Sequence, residues 1–410
     1  MIWTFFVAIA GVTGARTRGV WRGCSHASRN STPRSQPRAN EPFGPQVDTF
    51  SVQALLVEEE SPEIEDVRYV GSYNWLDDKA PVILVPGSPP AWTPLAEDVK
   101  LDRDSVPVYR DINAARYPKC PMEPAVRSVL EMQSHSELPS VDVFGCGNTL
   151  GSLLRCARSQ ATPFRFDVVF MVRRGDSPTE KITDLQGYGQ NFPAAYTTWD
   201  ADVRGSCSHQ RVISYTLGGM RFFVRSETDG YVRTSSQTLT LSTSTASSLE
   251  APSVVSTEDV LGSMSVDTRQ LQEGSLLEVR QQGIPIAQEH IFDIKTKSRW
   301  YKEYGMEGIL PRFWVNQTPN FLLAYHQAGL FSEPEVAPIL DDVKLWEKKN
   351  SSHLARYHAL VKRIVDVVRD SDGQQFEISW EGQGPLLITK QIAAGRLALP
   401  TDLLTLWAAL

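Results

Sequence analysis

The sequence is poor in cysteine, and its cysteines are not spaced for a metal site. Five of them are scattered over 410 residues, and no two form a Cys-x-x-Cys pair. The histidines show no ligand spacing with them either. An odd number of scattered cysteines gives no support to a cysteine-based metal site or a disulfide framework, and it indicates reduced thiols in an intracellular protein.

The sequence also lacks a strong charge of one sign and a long hydrophobic run. A net charge of −7 argues against a protein that coats nucleic acid, although a single cleft can still be basic. The apolar run in MIWTFFVAIAGVTGA is too short to cross a bilayer as a helix. We therefore expect no membrane insertion of the folded domain.

The N-terminal residues 1–45 leave the compartment open. Their apolar run has the length of a signal peptide but no positive residue before it, and several arginines in a Ser/Pro-rich stretch follow. Organelle targeting, secretion and a disordered leader all fit this pattern. If the leader is not a targeting segment, we expect a nuclear or cytoplasmic protein.

The remainder, residues 46–410, shows mixed strand and helix patterns and no internal repeat. This mixture predicts a single domain of the α/β (α+β) class. Residues 234–257 are dominated by Ser and Thr with almost no charge, which predicts a flexible surface insertion.

Local patterns predict three elements that matter below. Gly218 and Gly219 lie between two strand patterns, which indicates a β-hairpin. The apolar spacing of residues 354–371 predicts an amphipathic helix. Residues 310–331 also have helical spacing, and we expect Pro319 to kink or split that helix.

The stretch HIFDIKTKSR, residues 290–299, places an acid and a lysine on one face of a strand. Residues two apart share a strand face, so Asp293 and Lys295 point the same way. Glu227 and Asp229 share a face in the preceding hairpin strand in the same manner. An acid-x-Lys pattern is common, and each strand alone is better explained by a salt bridge on a solvated sheet face; only the occurrence of such acids on two consecutive strands makes a shared site equally compatible with the sequence.

If the two strands are neighbours, three carboxylates and one amine converge. Carboxylate oxygens are the ligands of Mg²⁺ and similar hard cations. A lysine beside them can orient or activate a water molecule and stabilise charge that develops on a phosphate. The pattern therefore predicts a site of the Mg²⁺ type, at which charge developing on a phosphate could be stabilised.

The order of segments between Asp142 and Gln317 resembles the DXO-type decapping exoribonuclease family, a branch of the PD-(D/E)xK nuclease fold. VDVFGCGNTLGSLL resembles the family's first strand and helix, and FDIKTKS resembles its Glu-x-Lys-Thr strand. The hairpin that ends in SETD is similar to the one that carries the acid-x-Asp motif, and RFWVNQTPNFLLAYHQAG resembles the next helix. The segments SYNWLD, VPGSPPAW and AYTTWD look close to a divergent fungal branch.

This resemblance implies a PD-(D/E)xK-like central mixed sheet flanked by helices, and a hydrolase that acts on RNA 5′ ends with Mg²⁺ or Mn²⁺. It implies that Glu227 and Asp229 are metal acids, with Glu227 also catalytic, and that Asp293 is the second metal acid. Lys295 takes the catalytic role of positioning the attacking water. Gln317 is the implied contact to substrate or water.

Two departures from the family keep an alternative open. Gly147 stands where the family carries an arginine, and GYGQNFPAAYTTW, residues 187–199, lacks the glutamate of the family's Gly-x-φ-x-Glu motif. Asp200 is a possible substitute for that glutamate. The alternative is a catalytically inactive member of the same fold that binds RNA or a protein partner.

A third interpretation is an enzyme of isoprenoid or secondary metabolism. LDDVKLW and LDDKAP lack the second Asp of a DDxxD motif. No pair of such motifs lies on predicted helices, so the sequence gives this interpretation little support.

Overall fold

The structure is a computed structural model that describes most of residues 43–408. The described ranges are 43–57, 61–134, 138–160, 164–168, 170–173, 179, 181–183, 185–233, 276–300, 305–370, 375–392 and 397–408. The Ser/Thr-rich insertion at 234–257 and all but the last three residues of the N-terminal leader lie outside these ranges, so both remain predictions.

The strands in the described ranges are named in chain order. They are β1 (Gln46–Phe50), β2 (Ile64–Leu76), β3 (Val82–Pro86), β4 (Ala91–Trp92), β5 (Val108–Tyr109), β6 (Val143–Cys146), β7 (Phe164–Val168), β8 (Phe170–Arg173), β9 (Lys181–Ile182), β10 (Thr197–Thr198), β11 (Ser206–Leu217), β12 (Met220–Glu227), β13 (Gly230–Tyr231), β14 (Glu278–Gln282), β15 (Ile291–Ser298), β16 (Asn320–Gln327), β17 (Leu330–Phe331), β18 (Ala337–Pro338), β19 (Phe376–Trp380) and β20 (Leu386–Lys390).

The α-helices are named in the same way. They are α1 (Ile112–Arg116), α2 (Glu123–Met132), α3 (Gly147–Ala157), α4 (Asn191–Tyr196), α5 (Leu310–Asn316), α6 (Leu340–Lys349), α7 (Ser351–Arg369) and α8 (Thr401–Ala408). Among the described residues, no helix has both the length and the apolar character needed to span a bilayer.

The strands form two main sheets. The larger has eleven strands in the order β1-β20-β19-β7-β8-β6-β12-β11-β2-β3-β14. The smaller has the order β10-β4-β13-β15-β16-β17, with β18 added beside β16. Both mix parallel and antiparallel pairs: β6 lies parallel to β12, and β15 lies parallel to β16. The predicted α/β (α+β) class with mixed sheets flanked by helices is confirmed.

Helices cover both faces of the larger sheet. Leu150 of α3, Trp314 of α5 and Leu360 of α7 are buried in one cluster with strand residues such as Phe222. On the opposite face, Val129 of α2 belongs to a cluster that includes Phe144 and Phe223. Burying each large apolar side chain contributes about 1.5–3 kcal/mol, so these two layers hold the sheet between them.

The predicted hairpin and the predicted amphipathic helix are both confirmed. Strands β11 and β12 pair antiparallel up to Leu217 and Met220, which leaves Gly218 and Gly219 as a two-residue turn. Both glycines have positive φ, 55° and 79°, as a tight hairpin turn of this hand requires. The amphipathic helix is α7.

The prediction of a helix over residues 310–331 is wrong for the second half of that region. Helix α5 ends at Asn316, Gln317 has a left-handed backbone with φ 49°, and β16 begins at Asn320. Strand β16 lies between β15 and short partner strands and is covered on both faces, so its apolar residues form a continuous run. Such a run does not distinguish a buried strand from a helix.

Candidate active site

The site lies where the chain passes from the larger sheet to the smaller one. Strand β12 of the larger sheet ends at Glu227, and β13 then pairs with β15 of the smaller sheet, Gly230 opposite Phe292. A Cβ atom added at Gly230 would lie 2.4 Å from Cζ of Phe292, so a glycine allows this close approach. The crossing places Asp229 beside β15, where its Oδ2 accepts a hydrogen bond of 2.7 Å from the Ile294 amide.

Asp293 is the most deeply buried acid of this region, with 2 % of its surface exposed. The Arg312 Nη2 lies 2.9 Å from its Oδ2, yet neither carboxylate oxygen accepts a well-directed hydrogen bond from the described residues. The contact between Arg312 and Asp293 is therefore a close ion pair whose groups are not aligned for a hydrogen bond. Burial raises the pKa of Asp293 to about 7; Arg312 opposes this rise, and the charges of Asp229 and Glu227 add to it.

Lys295 is half-buried two residues further along β15. Burial lowers its pKa to about 8, the positive charges of Arg312 and Lys297 lower it further, and Asp229 acts in the opposite direction. A lysine whose pKa lies this near neutrality can hold a proton at a water molecule and exchange it more readily than an exposed lysine.

A small cavity of about 80 Å³ adjoins this cluster. Glu227 and Arg312, which both act on Asp293, line this cavity. Its other walls include Arg110 and Arg225 and the first residues of α3. The cavity therefore combines guanidinium groups with the amino end of a helix, both of which favour an anion.

The acids fit a divalent cation only in part. Within the ranges that the structure describes, no three His, Cys, Asp or Glu side chains lie close enough to hold a metal ion by themselves. The predicted site of Glu227, Asp229 and Asp293 is thus not preformed, because Asp229 faces the Ile294 amide and Arg312 faces Asp293.

Two carboxylates can nevertheless suffice for such a cation. Mg²⁺ commonly keeps several waters and is bound through one or two carboxylates and the phosphates of its ligand. A buried carboxylate without directed hydrogen bonds, next to further acids, is a place where a cation lowers the energy of the fold. Asp293 and Asp229, with Glu227 nearby, fit a divalent cation in this manner.

A sequence profile described as "Domain of unknown function (DUF8563)" matches residues 61–384, which is most of the chain. The chain belongs to this family. None of the curated proteins compared with it matches.

Three solved structures share the fold of this DUF8563 chain. Scheffersomyces stipitis Rai1 in complex with (3′-NADP)+ and calcium has a TM-score of 0.55 and 11 % identity, covering 90 % of this chain and 100 % of its own. Candida albicans Rai1 in complex with pU5 and Mn²⁺ has a TM-score of 0.54 and 10 % identity, covering 88 % and 99 %. S. pombe Rai1 in complex with 3′-FADP has a TM-score of 0.52 and 12 % identity, covering 84 % and 99 %. The DXO-type fold expected from the sequence is confirmed.

The arginine that the sequence resemblance leads us to expect at position 147 has no room in this DUF8563 chain. A Cβ atom at Gly147 would lie 2.0 Å from Oδ1 of Asn316, so no side chain fits there while Asn316 keeps its place. Arg110, Arg225 and Arg312 line the cavity beside Gly147 and give it positive charge.

Gln317, the residue expected to contact substrate, does not line the cavity. Its left-handed backbone at the end of α5 turns the side chain back, and Nε2 donates to the carbonyl oxygen of Trp314 at 2.5 Å. Asn316 lines the cavity instead, with 6 % of its surface exposed and Oδ1 without a hydrogen-bond partner among the described residues. A signal for it was present: Arg312 and Asn316 are four residues apart and share a helix face.

Residues 187–191, in the segment where the sequence resemblance leads to the expectation of a glutamate, have a structural role. The amides of Gly189, Gln190 and Asn191 all donate to the carboxylate of Asp104, which holds the start of α4. Asp200, the possible substitute for that glutamate, has other partners in this structure. It accepts hydrogen bonds from Arg233 at 2.5 Å and from the Tyr231 hydroxyl at 2.6 Å.

Proposed function

We propose that this protein uses a divalent cation, Mg²⁺ or Mn²⁺, to hydrolyse phosphodiester or pyrophosphate bonds at the 5′ ends of RNA. The observation that carries the proposal is that two other acids, Asp229 and Glu227, lie near the buried carboxylate of Asp293. Asp229 and Glu227 both act electrostatically on Asp293, and Lys295 extends from the same strand. Carboxylates that can hold a divalent cation, with a lysine beside them, suit metal-assisted hydrolysis of a phosphate bond.

The solved structures that share the fold support the substrate class. Candida albicans Rai1 is in complex with pU5 and Mn²⁺, and Scheffersomyces stipitis Rai1 is in complex with a nucleotide and a calcium ion. RNA and a divalent cation are therefore ligands of proteins with this fold. We extend both to this chain as part of the proposal.

In this proposal the cation, the proton and the phosphate are each bound by different residues. Asp293 and Asp229, with Glu227 nearby, would hold the cation, which would supply Lewis-acid stabilisation of charge on the phosphate. Lys295 holds or moves a proton at the attacking water. Arg110, Arg225 and Arg312 bind and orient phosphate oxygens in the cavity, and Asn316 offers an acceptor to the ligand.

The test is cleavage of 5′-monophosphorylated and capped RNA by the purified full chain with Mn²⁺. Replacing the lysine at the site, Lys295→Ala, is expected to lower the cleavage rate about a hundredfold or more, the range typical of a lost proton-transfer group. Lys297→Ala is the matched control for removing a positive charge from the same strand face; Lys297 acts on the site only through its charge, which lowers the pKa of Lys295, so we expect a much smaller change in rate. Absence of metal-dependent cleavage, or equal rates for wild type and Lys295→Ala, contradicts the proposal.

A second candidate function is binding of RNA 5′ ends without hydrolysis. The incomplete cation shell and the Arg312–Asp293 ion pair favour it. This candidate predicts that phosphorylated RNA is retained by the full chain with Mn²⁺ and recovered intact. The same cleavage assay therefore separates the two functions.

A further inference from the structure

Arg312 belongs to two environments at once. It lies in the first turn of α5, and its Nη2 is 2.9 Å from Oδ2 of Asp293. The same side chain lines the cavity together with Arg110 and Arg225. It is 37 % exposed, whereas Asp293 is almost fully buried, so the arginine is the member of the pair that can move.

A divalent cation and the Arg312 guanidinium cannot both interact fully with the Asp293 carboxylate. Two positive groups against one carboxylate oxygen repel each other over a few ångströms, and that repulsion is weakly screened in a buried site. The ion pair also lacks directed hydrogen bonds on either oxygen of Asp293. A cation that binds Asp293 therefore displaces Arg312 more easily than it would displace a well-aligned bidentate partner.

The cavity is the place to which Arg312 can go, provided that an anion is there. Asp111, one of the two acids in its wall, is committed to the start of α1, since its Oδ1 accepts from the amides of Asn113 and Ala114 at 3.0 and 3.1 Å. Without an anion, the guanidinium would meet the like charges of Arg110 and Arg225, and of the two acids in the wall Glu227 would remain to offset three guanidinium groups.

Two buried amide groups in the cavity wall are also unsatisfied. Gln210 is 2 % exposed, and its Nε2 has no hydrogen-bond partner among the described residues. Oδ1 of Asn316 also lacks a partner among these residues, but it is an acceptor and needs a donor, such as a ligand hydroxyl, rather than a phosphate oxygen. A phosphate group supplies acceptors for Gln210 Nε2 and for three guanidinium groups, which a water molecule cannot do alone.

We propose that Arg312 is a positioning residue that exchanges between Asp293 and the phosphate of the substrate. In the cation-free protein it holds Asp293, and when a divalent cation takes Asp293 the guanidinium turns into the cavity and binds phosphate. This inference deepens the proposed function and rests on its cation site. It predicts that cation and phosphate strengthen each other's binding, as reciprocity between coupled sites requires.

The first experiment measures Mn²⁺ binding to the full chain without RNA, from the signal of free Mn²⁺ in electron paramagnetic resonance. Arg312→Gln is expected to bind Mn²⁺ about tenfold more tightly than wild type, because Asp293 no longer has a competing cation. Lys297→Gln is the matched control, since it removes a positive charge from the same strand that is not among the charges acting on the pKa of Asp293, and it is expected to change Mn²⁺ affinity by less than about threefold.

The outcomes of that titration separate the inference from the function on which it rests. Mn²⁺ binding by Arg312→Gln that is equal to or weaker than that of wild type overturns the exchange and leaves the cation site standing. Failure of both proteins to bind Mn²⁺ overturns the cation site and the exchange with it. A purely structural role for Arg312 would not tighten Mn²⁺ binding.

The second experiment needs no metal. In EDTA, binding of a 5′-phosphorylated dinucleotide is measured by calorimetry for wild type, Asp293→Asn and Asp229→Asn. Asp293→Asn releases Arg312 and is expected to bind about tenfold more tightly, while Asp229→Asn removes the same charge without releasing the arginine and gains less. The gain is expected to vanish in the double variant Arg312→Gln/Asp293→Asn. Equal gains in the two single variants, or a gain that persists in the double variant, overturn the exchange.

Discussion

At the scale of single residues, Asp293 sets the electrostatic character of the site. Its burial raises its pKa to about 7, so the fold binds a proton at this position more tightly than the unfolded chain does. Stability contributed by such a group is present at low pH and falls as pH rises from the unfolded value toward the folded one. The free energy of unfolding of the metal-free protein is therefore expected to fall between pH ~4.5 and pH ~7.

Asp293→Asn tests this assignment. The amide cannot ionise, so the variant is expected to lose the pH-dependent fall and to be more stable than wild type at pH ~8 by an amount on the order of a few kcal/mol. Urea denaturation in EDTA across that pH range measures the effect. An unchanged pH dependence in the variant would show that another group causes it.

The residues found from sequence and those missed differ in the kind of pattern that reveals them. Asp293 and Lys295 follow from the two-residue period of a strand, which is a local property. Arg312 and Asn316 became visible only when α5 was seen beside the cavity. Their spacing of four residues marks a shared helix face, but nothing local says that this face points at an acid on another element.

At the scale of elements, the turn of the β11–β12 hairpin determines the position of Glu227, the last residue of β12. Gly218 has φ 55°, and a Cβ atom there would lie 2.2 Å from Nε2 of His358 on α7. Gly218→Ala is expected to lower the free energy of unfolding by about 1–3 kcal/mol, because it adds both backbone strain and a clash. Gly219→Asn is the control, since its Cβ position has no atom within 4 Å and asparagine tolerates positive φ. Equal losses in the two variants, measured by chemical denaturation, would contradict this account of the turn.

The same scale shows why the region 310–331 was predicted incorrectly. The hairpin was predictable because two glycines force a chain reversal. The change from α5 to β16 depends on Gln317, which adopts a left-handed backbone without being a glycine, and on pairing with β15 far away in sequence. The spacing of apolar residues reveals neither the left-handed backbone at Gln317 nor the pairing with β15.

At the scale of the whole molecule, the site depends on the junction of two sheets. The sequence resemblance predicted one central mixed sheet, and periodicity alone cannot show that β12 and β13 belong to different sheets. The crossing at residues 228–229 brings Asp229 to Ile294 of β15. The position of the acids is thus a property of how the sheets meet rather than of either strand.

Gly230 is the residue through which this junction can be tested. A side chain there meets the ring of Phe292, a fully buried residue of β15, at 2.4 Å. Gly230→Ala is expected to push β13 away from β15, weaken the Asp229–Ile294 hydrogen bond and lower Mn²⁺ affinity about tenfold, together with a loss of stability. Because the clash is with one ring, adding Phe292→Leu to Gly230→Ala is expected to recover part of the Mn²⁺ affinity, whereas Phe292→Leu alone only destabilises the core. A double variant that binds Mn²⁺ no better than Gly230→Ala would show that the spacing of the two sheets does not control the cation site.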